Sequence, residues 1–464
     1  MNPPSRTQGV LGLSRRGFEL RGKFGMGKKI ITIAIGTVFQ DAGDATRAIE
    51  IAKGIKEYKP SDVEARVVFL SRGSRFEQKA IDSGFEIYHA DPKMSGVGMH
   101  QDLKMTPENF VGEKSIAREL IKGEIKAYKE IQPDIVLHGF WPIAGLARRM
   151  MEKEIPGICF VPLPLTEAFL DVIPDVPEQI KPLSLLPYKI RIGIFRRMPK
   201  FIKKRIPLLR QKNIRDAAYE LGWKGEPLLN LFSLLKSDLT LVNDLPDYYD
   251  QSFLPKNVMF TGPIFSRSES NEPVSPQIRE VFDPNNGNPK IYCTLGSSGT
   301  KKQLLEIIKV FAEGKGLEWN AVVLSPASVC PIEEARTALG GRKGVYITDE
   351  FIPAQKVNAL ADVVICHGGQ GTIQTALASG TPIVGVAMQQ EQFINLCNVS
   401  LYGAAIRIPL SKWNAKNIRE SVNRIISDKN FKQATIRLKN RVDVMDGRRK
   451  SAEIIWRFIK EKIN

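Results

Sequence analysis

Between residues 362 and 387 the chain twice runs from an apolar stretch into a turn, and the first turn restricts the fold more than any other feature. Asp362-Val363-Val364-Ile365-Cys366 reads as a buried strand, His367-Gly368-Gly369-Gln370-Gly371-Thr372 as a glycine turn, and residues 373–379 as a helix start. Three glycines in so short a span let the backbone approach a ligand closely, and the free amides at a helix N-terminus favour a diphosphate. After Gly380-Thr381-Pro382 a second strand, 383–387, leads into the polar cluster Gln389-Gln390-Glu391-Gln392 with Asn395. Two successive strand ends therefore present an anion cradle beside groups suited to sugar hydroxyls.

The same strand-helix alternation runs through the rest of the chain. Apolar runs at 29–36, 65–70, 134–137, 157–161 and 239–242 are separated by helical spacing, for example at 45–58 and 143–152, and 258–263 carries the chain out. A second series begins at 290–294 and continues at 320–324, 344–347, 362–366 and 383–387. Alternation of this kind implies parallel sheets with helices on both faces. A length of 464 residues exceeds one core, so two domains are expected. The predicted fold is α/β, with two doubly wound, Rossmann-like domains facing each other across a cleft. The expected boundaries are an extension without fixed structure at 1–27, an N-terminal acceptor domain at 28–262, a linker at 263–289, a donor domain at 290–445 and a terminal helix at 446–464 that packs back on the first domain.

The five cysteines, Cys159, Cys293, Cys330, Cys366 and Cys397, are scattered, lack CxxC spacing and mostly lie in apolar runs. They read as reduced core residues of a cytoplasmic chain, without disulfides or zinc. No apolar run approaches the ~20 residues of a membrane-spanning helix. Residues 1–27 lack the apolar core of a secretory signal.

The ordered block Phe351-Ile352-Pro353, His367 to Thr372, and Glu391-Gln392 resembles the donor block of the nucleotide-sugar-dependent glycosyltransferases, in their sterol and macrolide (antibiotic) branch. That resemblance implies the GT-B architecture and a UDP- or dTDP-sugar as donor substrate, with no further cofactor. It assigns the donor to Gly296, Ser297 and Ser298 after the first strand of the second domain, to Phe351 and Ile352 at the base, and to His367, Gly369, Gln370, Gly371 and Thr372 at the diphosphate. Glu391 and Gln392 fall on the sugar. Thr375 occupies the position where the family often carries a ribose-binding glutamate, with Gln374 beside it as a substitute. His138 and Thr166 are assigned to the acceptor. The residue types leave plainer roles open, because Ser, Thr and Asp cap helices, His367 could do the same, and Phe351 is as suited to a core.

The family's usual base, a histidine after the first strand, is missing between Gly36 and Lys53. Gly43-Asp44 resembles the arrangement of the sterol and antibiotic branch instead, which makes Asp44 the candidate base, or a mere helix cap, with Asp41 as the fallback. No Asp-x-Asp pair of the metal-diphosphate kind is present, so no metal is expected.

Basic residues outnumber acidic ones by 67 to 50, giving a net charge of +17. The excess concentrates between Lys181 and Lys212, where no acidic residue interrupts a mixture of Lys, Arg and large apolar side chains. Such a segment suits the interface of an anionic membrane, where each Lys or Arg contributes about 1 kcal/mol, or else it is a solvated face of the domain. Nucleic acid explains it less well, since no recognition module accompanies it. The expected activity is inverting transfer of a sugar to a hydroxyl of a lipid or lipophilic acceptor, at the cytosolic membrane face. A nucleotide-sugar 2-epimerase and a non-catalytic donor-binding or membrane-adaptor protein are the alternatives.

Overall fold

The computed structural model describes residues 28–463, except 75, 97, 107, 179, 205–209, 267–272, 297–298, 314–318 and 351. The expected extension at 1–27 therefore lies outside the described residues, as do Ser297, Ser298 and Phe351.

Two all-parallel sheets organise the chain. The first has seven strands in the order β3-β2-β1-β4-β5-β6-β7, with β1 Lys29–Gly36, β2 Val63–Ser71, β3 Glu86–His89, β4 Ile135–His138, β5 Gly157–Val161, β6 Leu239–Val242 and β7 Val258–Phe260. The second has six in the order β10-β9-β8-β11-β12-β13, with β8 Lys290–Thr294, β9 Asn320–Leu324, β10 Val345–Thr348, β11 Val363–Cys366, β12 Ile383–Gly385 and β13 Ala405–Arg407. Central strands such as β4, β5 and β11 are buried along their whole length, which explains why they read as unbroken apolar runs rather than alternating ones.

Three strands depart from the sequence reading. The short strands β3 and β13 carry no continuous apolar run, and 258–260 is not merely an exit but the seventh strand of the first sheet. All three lie at sheet edges, where burial is partial and the apolar signal weakest.

Strand order reverses between β1 and β4 in the first sheet and between β8 and β11 in the second. Crevices at such switch points, beyond the carboxyl ends of the strands, are where open α/β sheets bind ligands. The terminal helix Gly447–Ile463 crosses back to the first domain, where Ile454, Ile455 and Trp456 join the core cluster of β1 and β2. Trp456 Nε1 donates to the Ile55 carbonyl at 3.1 Å, and Gly54 lets the two helices touch, since a Cβ there would lie 2.8 Å from the Arg448 carbonyl oxygen.

Candidate active site

The ends of β1, β4, β8 and β11 surround a cleft of about 1100 Å³ lined from both halves. Its second-domain wall is the glycine turn. Gly369 caps the helix Gln370–Ala378 without any side-chain hydrogen bond to the first turn. The first intrahelical bond from this end is donated by Ile373 N to Gly369 O, leaving the amides of Gln370, Gly371 and Thr372 for a ligand. A Cβ on Gly371 would meet nothing within 4 Å, so its bare Cα faces open space in the cleft.

His367 stands beside this turn, 7% exposed, and its Nδ1 has no partner among the described residues. It does not cap the helix. Burial lowers its pKa to about 4, so near neutral pH the ring is uncharged. Gly296, at φ +58°, lies so near that a Cβ there would sit 2.7 Å from the imidazole. A glycine is thus required at the end of β8 by conformation and by space. Ile352, Thr294 and Thr375 also line the cleft.

The polar cluster after β12 divides its labour. Gln392 Oε1 accepts from Met388 N at 3.0 Å and Gln389 N at 3.2 Å, capping its own helix Gln390–Leu401. Glu391 lines the cleft and accepts from Asn395 Nδ2 at 2.5 Å. Desolvation raises its pKa to about 7, and the Asp41 carboxylate from the opposite domain adds to the shift.

On the first-domain wall, hydrogen bonding separates the two candidate bases. Asp41 is the N-cap of helix Ala42–Glu57, its Oδ1 accepting from Asp44 N at 2.9 Å, while it remains partly exposed to the cleft. Asp44 is 2% exposed and both its oxygens are committed. Oδ2 accepts from Thr37 Oγ1 at 2.7 Å and Val38 N at 3.1 Å, and Oδ1 from Phe140 N at 3.1 Å and Arg47 Nη2 at 3.3 Å. A Cβ on Gly139 would lie 2.1 Å from Asp44 Oδ1, so the glycine after β4 makes room for this carboxylate. Asp44 ties the β1 and β4 loops together, and of the two carboxylates Asp41 is the one partly exposed to the cleft.

Three further residues expected at the site are hydrogen-bonded within the protein. His138 is fully buried, with Nδ1 donating to the Gly139 carbonyl at 3.0 Å and Nε2 accepting from Ser237 Oγ at 2.8 Å, so it cannot reach an acceptor. Burial pushes its pKa down to about 3. Thr166 spends its hydroxyl on the Leu163 carbonyl at 2.8 Å, and its neighbours Pro164 and Leu165 line the cleft instead. Gln374 is not among the residues that line the cleft, and its Nε2 donates to the Asn243 carbonyl at 2.6 Å. Thr375 Oγ1 bonds back to Gly371 O at 3.0 Å.

The sequence reading missed a buried bridge between the halves. Arg47 Nη1 donates to Gln370 Oε1 at 2.7 Å, and Gln370 Nε2 donates to Asp244 Oδ1 at 2.5 Å. Asp244 Oδ2 in turn accepts from Leu163 N at 2.7 Å. Burial raises the Asp244 pKa to about 6. Signals existed for both, since Arg47 falls one helical turn after Asp44 and Asp244 follows directly on a parallel strand.

This arrangement, twin parallel sheets facing each other across a cleft, is the GT-B fold. Residues 342–459 match the model of the erythromycin biosynthesis protein CIII-like, C-terminal domain. Across 72% of the chain and 73% of the relative, the sequence is 27% identical to the PGL/p-HBAD biosynthesis glycosyltransferase of Mycobacterium tuberculosis. Among solved structures it shares the fold of the glycotransferase of kitacinnamycin, with a TM-score of 0.62 and 20% identity over 92% of this chain and 98% of that one. It also superposes on the glycosyltransferase VinC in complex with DTDP, with a TM-score of 0.59 and 14% identity over 93% and 100% of the two chains.

Proposed function

We propose that the chain is an inverting glycosyltransferase that moves a sugar from a UDP- or dTDP-sugar to a hydroxyl of a lipophilic acceptor. The observation that carries this is the uncapped first turn of helix Gln370–Ala378, whose amides and open Gly371 face the cleft opposite a carboxylate that is partly exposed. That VinC, which shares the fold, was solved in complex with DTDP supports a nucleoside diphosphate as the ligand. Asp41 takes the proton of the acceptor hydroxyl as its oxygen attacks the anomeric carbon. The bond from that carbon to the diphosphate breaks, and the electron pair leaves with the diphosphate. Attack from the wall opposite the leaving group inverts the anomeric centre. No cofactor beyond the donor is needed, and transfer is expected to persist in the presence of a metal chelator.

The first-domain end of the cleft is walled by Val38, Phe110, Phe140, Leu165, Leu231 and Phe232, which suits an apolar acceptor. Nearby, helices Tyr188–Arg197 and Lys200–Lys203 bury Ile192 and Phe195 against the cluster that contains Phe232. The segment 181–203 leaves Leu185 (74%), Ile190 (53%) and Phe201 (61%) exposed, among exposed Lys181, Lys189, Arg196 and Arg197. Part of the basic run is neutralised at home, since Asp175 pairs with Arg191, Asp171 with Lys200 and Glu167 with Lys204. The remaining cations and the apolar side chains fit an anionic membrane surface. Arg205, Ile206 and Leu208 of that run lie outside the described residues. No helix among the described residues is long and apolar enough to cross a membrane. Five unpaired, buried cysteines suit a reducing, cytoplasmic compartment.

The test is incubation with radiolabelled UDP- and dTDP-sugars and a lipid extract. Acceptor-dependent product is expected, and Asp41→Asn lowers its kcat by about 100-fold or more. Conversion of donor without any acceptor would instead support an epimerase, and nucleotide binding without turnover a non-catalytic protein.

A further inference from the structure

Arg47 belongs to the first domain, yet its guanidinium reaches the start of the donor-domain helix and hydrogen-bonds Gln370. Its side chain is nine-tenths buried, 10% exposed, and it lines the cleft together with Gly371 and Thr372. Its Nε has no acceptor among the described residues. On the same cleft, His367 Nδ1 is equally without a partner among the described residues. Two buried polar nitrogens left unsatisfied at one uncapped helix end are costly unless a ligand completes them. The carboxylates Asp41, Asp44 and Glu391 also line the cleft, so a donor carrying two phosphate charges enters among acidic groups.

We infer that Arg47 is the cation that neutralises the donor's diphosphate, supplied across the cleft by the acceptor domain. The inference rests on the proposed glycosyl transfer and assigns its leaving-group contact. A guanidinium has five donors in a planar fork. Arg47 here spends Nη1 on Gln370 and a long contact of 3.3 Å on Asp44, which leaves Nε–H for a phosphate oxygen. As the bond to the anomeric carbon breaks, negative charge grows on the terminal phosphate, where a fixed cation in a water-poor cleft stabilises it most. Because Arg47 and the cradle lie on different domains, only a closed cleft assembles the complete anion site. Gln370 is then a positioning residue that holds the guanidinium in place.

Calorimetric titration with UDP and dTDP, and with the corresponding nucleoside monophosphates, tests this on the full chain. Arg47→Met should weaken diphosphate binding by about 10- to 100-fold and monophosphate binding far less. Arg47→Lys, which keeps a charge beside Asp44 and guards against misfolding, should recover part of the diphosphate preference. Gln370→Ala should lower kcat more than it raises KM. Equal loss of both nucleotide classes in Arg47→Met, with the melting temperature unchanged, would overturn the inference while leaving the glycosyltransferase reading intact. Failure of the unaltered protein to bind either diphosphate would sink both.

Discussion

Replacing Gly371 with alanine separates ligand binding from folding, because the added methyl group would touch no protein atom within 4 Å. Gly371 is the second residue of its helix and does not have a positive φ. Alanine is the better helix former by up to about 1 kcal/mol, less in a first turn, so stability should hold or rise slightly. The methyl projects into the space assigned to the diphosphate. Pushing a phosphate away from the first-turn amides forfeits at least one charge-assisted hydrogen bond, about 1.5–3 kcal/mol, or roughly 10- to 100-fold in affinity. Thermal denaturation and calorimetric titration with dTDP and UDP on the same preparation read the two effects. Gly296→Ala is the contrasting case, since its positive φ and the 2.7 Å approach to His367 should cost stability and binding together. Unchanged diphosphate affinity in a folded Gly371→Ala protein would refute the placement of the diphosphate.

Glu391 supplies a pH test. Its folded pKa of about 7 lies above the ordinary 4.5, so between those values the folded chain holds a proton that the unfolded chain has released. Stability therefore falls as pH rises through that window. Glu391→Gln should melt increasingly higher than the unaltered protein from about pH 5 to about pH 7, and a constant gap would contradict the assignment. The exposed face near the acceptor end supplies a third prediction: serine at Ile190, Ile194 and Phe201 together should abolish flotation with anionic vesicles. Retained flotation would show that the basic residues alone, or another surface, hold the membrane.

The buried strands and the glycine turn were readable because parallel sheets buried on both faces leave unbroken apolar runs, and a close ligand approach leaves glycines. The positions of His367, Gly296 and Glu391 on the cleft followed from their order along the chain. What a single sequence concealed was which polar atoms were already engaged. Asp41 and Asp44 differ by three positions and not at all in chemistry, yet one has two oxygens filled by neighbouring loops. His138 and Thr166 sit at strand ends, as functional residues do, but Ser237 and the carbonyls of Gly139 and Leu163 use up their polar groups. The Arg47–Gln370–Asp244 bridge joins residues more than a hundred positions apart, which no local pattern encodes.

The most direct measurement is a crystal structure of the chain with a non-transferable UDP- or dTDP-sugar. The diphosphate is expected against the amides of Gln370, Gly371 and Thr372, within reach of His367 and Arg47, with the sugar between Glu391 and Asp41. A nucleotide bound with its phosphates away from this turn, or an empty cleft at saturating donor, would contradict the account.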